Sequence, residues 1–78
     1  MDFVLYKNSS QFVPIGVKFQ NMKQPQLSRG YHSFLEAYQP AKAFVLTKEL
    51  FAEQQVHSTL VQFIPLEQID LLLQRLEL

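Results

Sequence analysis

Ala43-Phe44-Val45-Leu46 is an unbroken apolar run of strand length, and it lies directly behind a stretch with helical periodicity. In that stretch Leu27, Tyr31, Phe34, Leu35 and Tyr38 recur at spacings that form one stripe of an amphipathic helix. Pro25 suits its first turn and Pro40 marks its stop. A strand that is apolar at every residue is buried on both faces, so the chain must supply a layer on each side of its sheet. Upstream, Asp2–Lys7 and residues 11–19 are β-rich and flank the turn-forming Asn8-Ser9-Ser10, which reads as a hairpin. In its second strand Val13, Ile15, Val17 and Phe19 share one face, and Phe12, Pro14, Gly16 and Lys18 the other. Pro14 cannot donate to a ladder, so its amide position should face away from a partner or sit at a bulge. Strand, helix, strand in this order implies a right-handed crossover between parallel strands.

Residues 47–57 are polar and read as a connection with a helical turn around Leu50-Phe51. Residues 58–64 read as a fourth strand. Pro65 then opens a terminal helix whose inner stripe is Leu66, Ile69, Leu73 and Leu76, with Leu72 on its flank. The expected fold is α/β (α+β), a mixed four-stranded sheet in the order 1-2-3-4. Its two central strands are parallel and its outer strands antiparallel to them. Helix 25–38 covers one face, and helix 65–77 packs on a face or against an edge. Residues 1–78 form one small domain without repeats, low-complexity tracts or a linker.

A chain of 78 residues buries only about 60% of its unfolded surface, a thin margin of stability. It has no cysteine, hence no disulfide framework and no thiolate metal site. Its two histidines, His32 and His57, are too few for a zinc site without carboxylate help. Seven basic and seven acidic residues cancel, whereas proteins that wrap duplex nucleic acid usually carry a basic excess. Charged residues make up 18% of the chain against 47% apolar, below the ~25% charged of an average domain, so part of the surface is expected to be covered by a partner. No apolar run approaches the ~20 residues of a membrane span, and no secretory signal pattern opens the chain. The expected location is cytoplasmic.

If the hairpin loop is Asn8 to Ser10, Lys7 faces Gln11, Asp2 opposes Gly16, and Lys18 is the diagonal neighbour of Asp2, roughly 7–8 Å away on the same face. A two- or four-residue loop would put Asp2 on the face opposite Lys18. Asp2-Phe3-Val4-Leu5-Tyr6 followed by Val13-Pro14-Ile15-Gly16-Val17-Lys18-Phe19 resembles the D…(D/E)xK signature of the PD-(D/E)xK, or restriction-endonuclease-like, nucleases. More narrowly, it is similar to the uncharacterised C-terminal domain that follows the ATPase module in many bacterial and archaeal AAA+ ATPases. There the second strand commonly reads I-E-V-K, where this chain has Ile15-Gly16-Val17-Lys18. Ala43-Phe44-Val45-Leu46-Thr47-Lys48 and Phe63-Ile64-Pro65-Leu66 match the stretches expected after the helix and at the closing strand.

The resemblance implies two carboxylates holding Mg²⁺ or Mn²⁺ against a scissile phosphate, and a lysine that positions water or stabilises developing charge. Asp2 then matches the catalytic, metal-binding aspartate and Lys18 the catalytic lysine, while Gly16 stands where the second carboxylate belongs. No cofactor is expected beyond Mg²⁺ or Mn²⁺, which one carboxylate can hold weakly when substrate phosphates assist. Some relatives in that superfamily move the lost carboxylate to the following helix. Glu36 is the only candidate there, and it lies across the helix from the apolar stripe. Equally, Asp2 reads as a solvated strand end, Lys18 as an ordinary strand lysine, and Gly16 as a bulge or close packing contact. Arg29, His32, Ser33 and Glu36 read as a solvated helix face with an i, i+4 contact between His32 and Glu36. His57 falls in the polar connection.

The helix and strand that precede the aspartate strand in that fold are absent, so a truncated core with an uncovered first strand is expected. Leu71 and Leu78 project from the terminal helix away from its inner stripe. The expected function is a non-catalytic scaffold or protein-interaction domain with a degenerate active site, partnered by a second copy (a homodimer) or another protein. The alternative is a metal-dependent nuclease or nucleic-acid-processing accessory domain using Asp2 and Lys18 with a displaced carboxylate. Binding of nucleic acid without catalysis is disfavoured by the zero net charge, and no membrane partner is expected.

Overall fold

A computed structural model of the chain describes residues 2–7 and 11–76, for Asp2 the backbone only. The elements are β1 (Asp2–Lys7), β2 (Phe12–Lys18), α1 (Arg29–Tyr38), β3 (Lys42–Thr47), β4 (Ala52–Val56), β5 (Thr59–Pro65), a 3₁₀ turn over Leu66–Gln68, and α2 (Ile69–Leu76). They form one five-stranded mixed sheet in the order β1-β2-β3-β5-β4. The three inner strands β2, β3 and β5 are parallel, and β1 and β4 run antiparallel to their neighbours. No helix among the described residues is long and apolar enough to cross a membrane.

The α+β class and the parallel crossover from β2 through α1 to β3 agree with the sequence. The strand count and order do not. Residues 52–56, expected to be part of a connection, form the edge strand β4, in which only Ala52 and Val56 carry an apolar signal. The strand expected to run antiparallel to β3 is instead β5, parallel to it. Residues 48–51 carry the chain past the end of β5 to β4, and the turn at His57-Ser58 returns it between β3 and β4.

Helix α1 begins later than residue 25. Ser28 is its N-cap, accepting a hydrogen bond from the Tyr31 amide at 3.2 Å, and this stabilises the start at Arg29. Gln39 ends it in the left-handed region (φ 44), and Pro40 then bars continuation. Helix α2 is rotated relative to expectation. Leu72 and Leu76 are buried, while Leu66, Ile69 and Leu73 remain 38–53% exposed. The tighter winding of the 3₁₀ turn takes Leu66 out of phase with the helix. Lys42 Nζ fixes the other end by donating to the carbonyls of Arg75 (2.6 Å) and Leu76 (3.4 Å), a cation at the negative end of the helix. Leu71 is half-buried, and Leu78 lies outside the described residues.

The core has two sides, as the Ala43–Leu46 run requires. Under α1, Tyr31 and Leu35 pack on Ala43, Val45, Val56, Val61 and Phe63. Under α2, Leu72 and Leu76 pack on Val13, Phe44 and Ile64. Each large apolar side chain buried this way contributes about 1.5–3 kcal/mol before entropy is counted. The most specific contact is polar. The Tyr31 hydroxyl donates to the Phe44 carbonyl at 2.8 Å and lies 3.1 Å from the Pro14 carbonyl. Pro14 has no amide hydrogen, and the β2–β3 pairing starts one residue later, at Ile15↔Phe44. The phenol binds the helix to both strands where that pairing begins.

Tyr31→Phe removes the proton that the Phe44 and Pro14 carbonyls share and is expected to destabilise the fold by about 1–3 kcal/mol in urea denaturation. Burial pushes the Tyr31 hydroxyl above its ordinary range, with the Phe44 hydrogen bond opposing only part of the effect. The folded state therefore keeps this proton longer than the unfolded chain does. The linked stability is complete below the ordinary tyrosine value of ~10 and declines as pH rises above it. Tyr31→Phe should flatten that alkaline decline.

Candidate functional site

The residues singled out by the nuclease resemblance belong to the β1–β2 hairpin, and its register decides how they relate. Lys7 pairs with Phe12, Phe3 with Gly16, and Asp2 with Val17. The connection thus spans residues 8–11 rather than 8–10, because Gln11 stays outside the ladder. The expected Asp2–Gly16 opposition is replaced by Phe3–Gly16. With a period of two, register positions 2 and 18 fall on opposite faces of the hairpin. The side chain of Asp2 lies outside the described residues, as do Asn8, Ser9 and Ser10.

Gly16 is buried, between Phe3 on β1 and Val45 on β3. Phe3 in turn packs edge-on against Tyr31 and Phe34, with ring centroids 5.0 and 4.9 Å apart. Gly16 thus lies beside an aromatic cluster of the core. Its strand pairs regularly through this residue, without a bulge. Lys18 is half-buried at the carboxyl end of the parallel strands, level with Thr47 and Pro65. Glu36 meets the turn at the opposite end of the sheet. Lys18 and Glu36 therefore do not come together. Among the described residues no group of three or more His, Asp or Glu is arranged to hold a metal ion.

The outer face of α1 shows the expected contact, His32 Nδ1 to Glu36 Oε1 at 3.1 Å. His57, which the sequence left in a connection, reaches the same oxygen through Nε2 at 3.6 Å. It occupies the β4–β5 turn with φ 52, a left-handed conformation that histidine tolerates better than most residues. Gln55 Nε2 donates to the His57 carbonyl at 2.9 Å, and Thr59 Oγ1 to the Pro40 carbonyl at 2.5 Å. All three members of the cluster are about half exposed, so it ties the turn to α1 at modest energy. Only the hairpin, which the sequence concealed, brings His57 there.

Four of the large exposed apolar residues lie on the hairpin, and Leu66, Ile69 and Leu73 form a second group at α2. Val4, Leu5, Phe12 and Val17 are 65, 48, 54 and 43% exposed. Leu5 and Phe12, with Phe34, Tyr38, Pro40 and Ala41, line a groove of about 520 Å³ between β1–β2 and α1, to which Gln11 and Gln39 add polar groups. Tyr38, expected in the buried stripe, is 72% exposed at the helix end. No family model, curated protein or solved structure matches the chain. The site is thus defined by its own chemistry: an apolar hairpin open on both faces, without a metal-binding cluster among the described residues.

Gly16→Glu separates the two readings of that position. A carboxylate placed there enters the buried layer beside Phe3 and Val45. The expected outcome in urea denaturation is a loss of about 3 kcal/mol or more, with no gain in Mn²⁺ binding by calorimetry.

Proposed function

We propose that this chain is a non-catalytic scaffold or protein-interaction domain, built on a degenerate nuclease-like core and docking partners through its β1–β2 hairpin. The observation that carries this reading is the outer strand β1, which ends the sheet and exposes Val4 and Leu5 on its two faces. Proteins usually protect such an edge with charge, proline, a bulge or a covering element. The burial of Gly16 supports the non-catalytic part, since a nuclease would need a second carboxylate at or near it. The hairpin–helix–strand order of β1, β2, α1 and β3 supports the nuclease-like origin. The alternative nuclease reading requires a carboxylate from elsewhere, and Glu36 sits at the far end of the sheet from Lys18.

Calorimetric titration of Mn²⁺, with Asp2→Ala as control, tests the reading together with a DNA-cleavage assay. The expected result is no heat at millimolar Mn²⁺ and no cleavage. Binding that disappears in Asp2→Ala, accompanied by metal-dependent cleavage, would reject it in favour of the nuclease.

A further inference from the structure

The sheet has two outer strands of contrasting chemistry. β4 reads Ala52-Glu53-Gln54-Gln55-Val56, with exposed Glu53 and Gln55 in its middle. Those residues hinder addition of another strand. β1 reads Asp2-Phe3-Val4-Leu5-Tyr6-Lys7 and keeps its charged residues at the two ends. Its central Val4 and Leu5 lie on opposite faces and remain exposed, while Phe3 packs on α1 and Tyr6 on the α2-side cluster. A partner for this edge must continue the sheet and also bring apolar surface to both faces.

We propose that the partner is a second copy of this chain, paired antiparallel through β1 to join two five-stranded sheets into one. The proposal rests on the reading of the hairpin as an interaction surface and names its occupant. A two-fold axis perpendicular to the sheet keeps equivalent faces on the same side, so even-numbered residues meet even and odd meet odd. The axis then passes through a single residue, and Val4 and Leu5 are the central exposed ones. On the α1 side Leu5 and the Phe12–Tyr38 groove approach their symmetry mates; on the α2 side Val4 does. The exposed parts of Val4, Leu5, Phe12 and Tyr38 amount to a few hundred Å² per copy, the low end of specific interfaces (below about 1,200 Å² in total), to which the open backbone edge of β1 adds its ladder. The zero net charge adds no long-range repulsion between copies.

The absence of cysteine gives a direct test. Residues directly opposite in antiparallel strands have Cα atoms ~4.5–5.5 Å apart, within the range a disulfide spans. Val4→Cys and Leu5→Cys, made singly and oxidised mildly, are expected to yield a reducible dimer from at least one variant. Glu53→Cys on β4 and Leu73→Cys on α2 are the controls and should stay uncrosslinked. Light scattering should give twice the 9.1 kDa chain mass for the unmodified protein and the single mass for Leu5→Lys, with circular dichroism confirming that the variant is folded. A monomer at micromolar concentration overturns the pairing, as does crosslinking at position 53 or 73 with none at 4 or 5. Either result leaves the non-catalytic reading to its own metal and cleavage test.

Discussion

One phenol hydroxyl holds together the two layers on which the rest of the fold is built. Tyr31 reaches from α1 to the carbonyls of Pro14 on β2 and Phe44 on β3, the strands that the helix connects. A proline in an inner strand would ordinarily weaken the sheet, because it removes a donor from the ladder. Here the Tyr31 hydroxyl reaches the carbonyl of Pro14 itself from the layer above, and the same ring receives Phe3 from β1. On the α1 side, the outer strand is thereby tied to the core through Phe3. Val4 and Leu5, beside it in sequence, are left facing outward on either side.

That attachment and the burial of Gly16 are two aspects of one packing arrangement, since Gly16 lies opposite Phe3, whose ring packs on Tyr31 and Phe34. The contrast with β4 shows that the chain does place charge on an outer strand when that strand is exposed. On β1 the charges stand only at the ends.

The parts of the fold legible in the sequence were those dictated by local chemistry. The Ala43–Leu46 run marked the two-sided strand, Pro40 the helix stop, and the 3.6-residue period the Tyr31–Leu35 face. Edge strand β4 was hidden because two of its residues face solvent and Gln54 is polar. Composition cannot distinguish a three-residue from a four-residue hairpin connection, and the register observed is that of the four-residue alternative, with Asp2 opposite Val17. Which leucines of α2 turn inward is decided by packing of Leu72 and Leu76 on Val13, Phe44 and Ile64, and the 3₁₀ turn puts Leu66 out of phase with them. The contact between His57 and Glu36 depended on β4 and was lost with it.

The position of β5 has a consequence for the order in which this molecule can assemble. It is the last strand in sequence, yet it pairs with β3 on one side and β4 on the other. Until residues 59–65 are in place, β3 has an open flank in the middle of the sheet, with Ala43 and Val45 next to it. The β4–β5 hairpin is a local structure that can form early, but its docking against β3 closes a larger loop and carries an entropic cost. The sheet is therefore continuous across its centre only once residues 59–65 lie between β3 and β4.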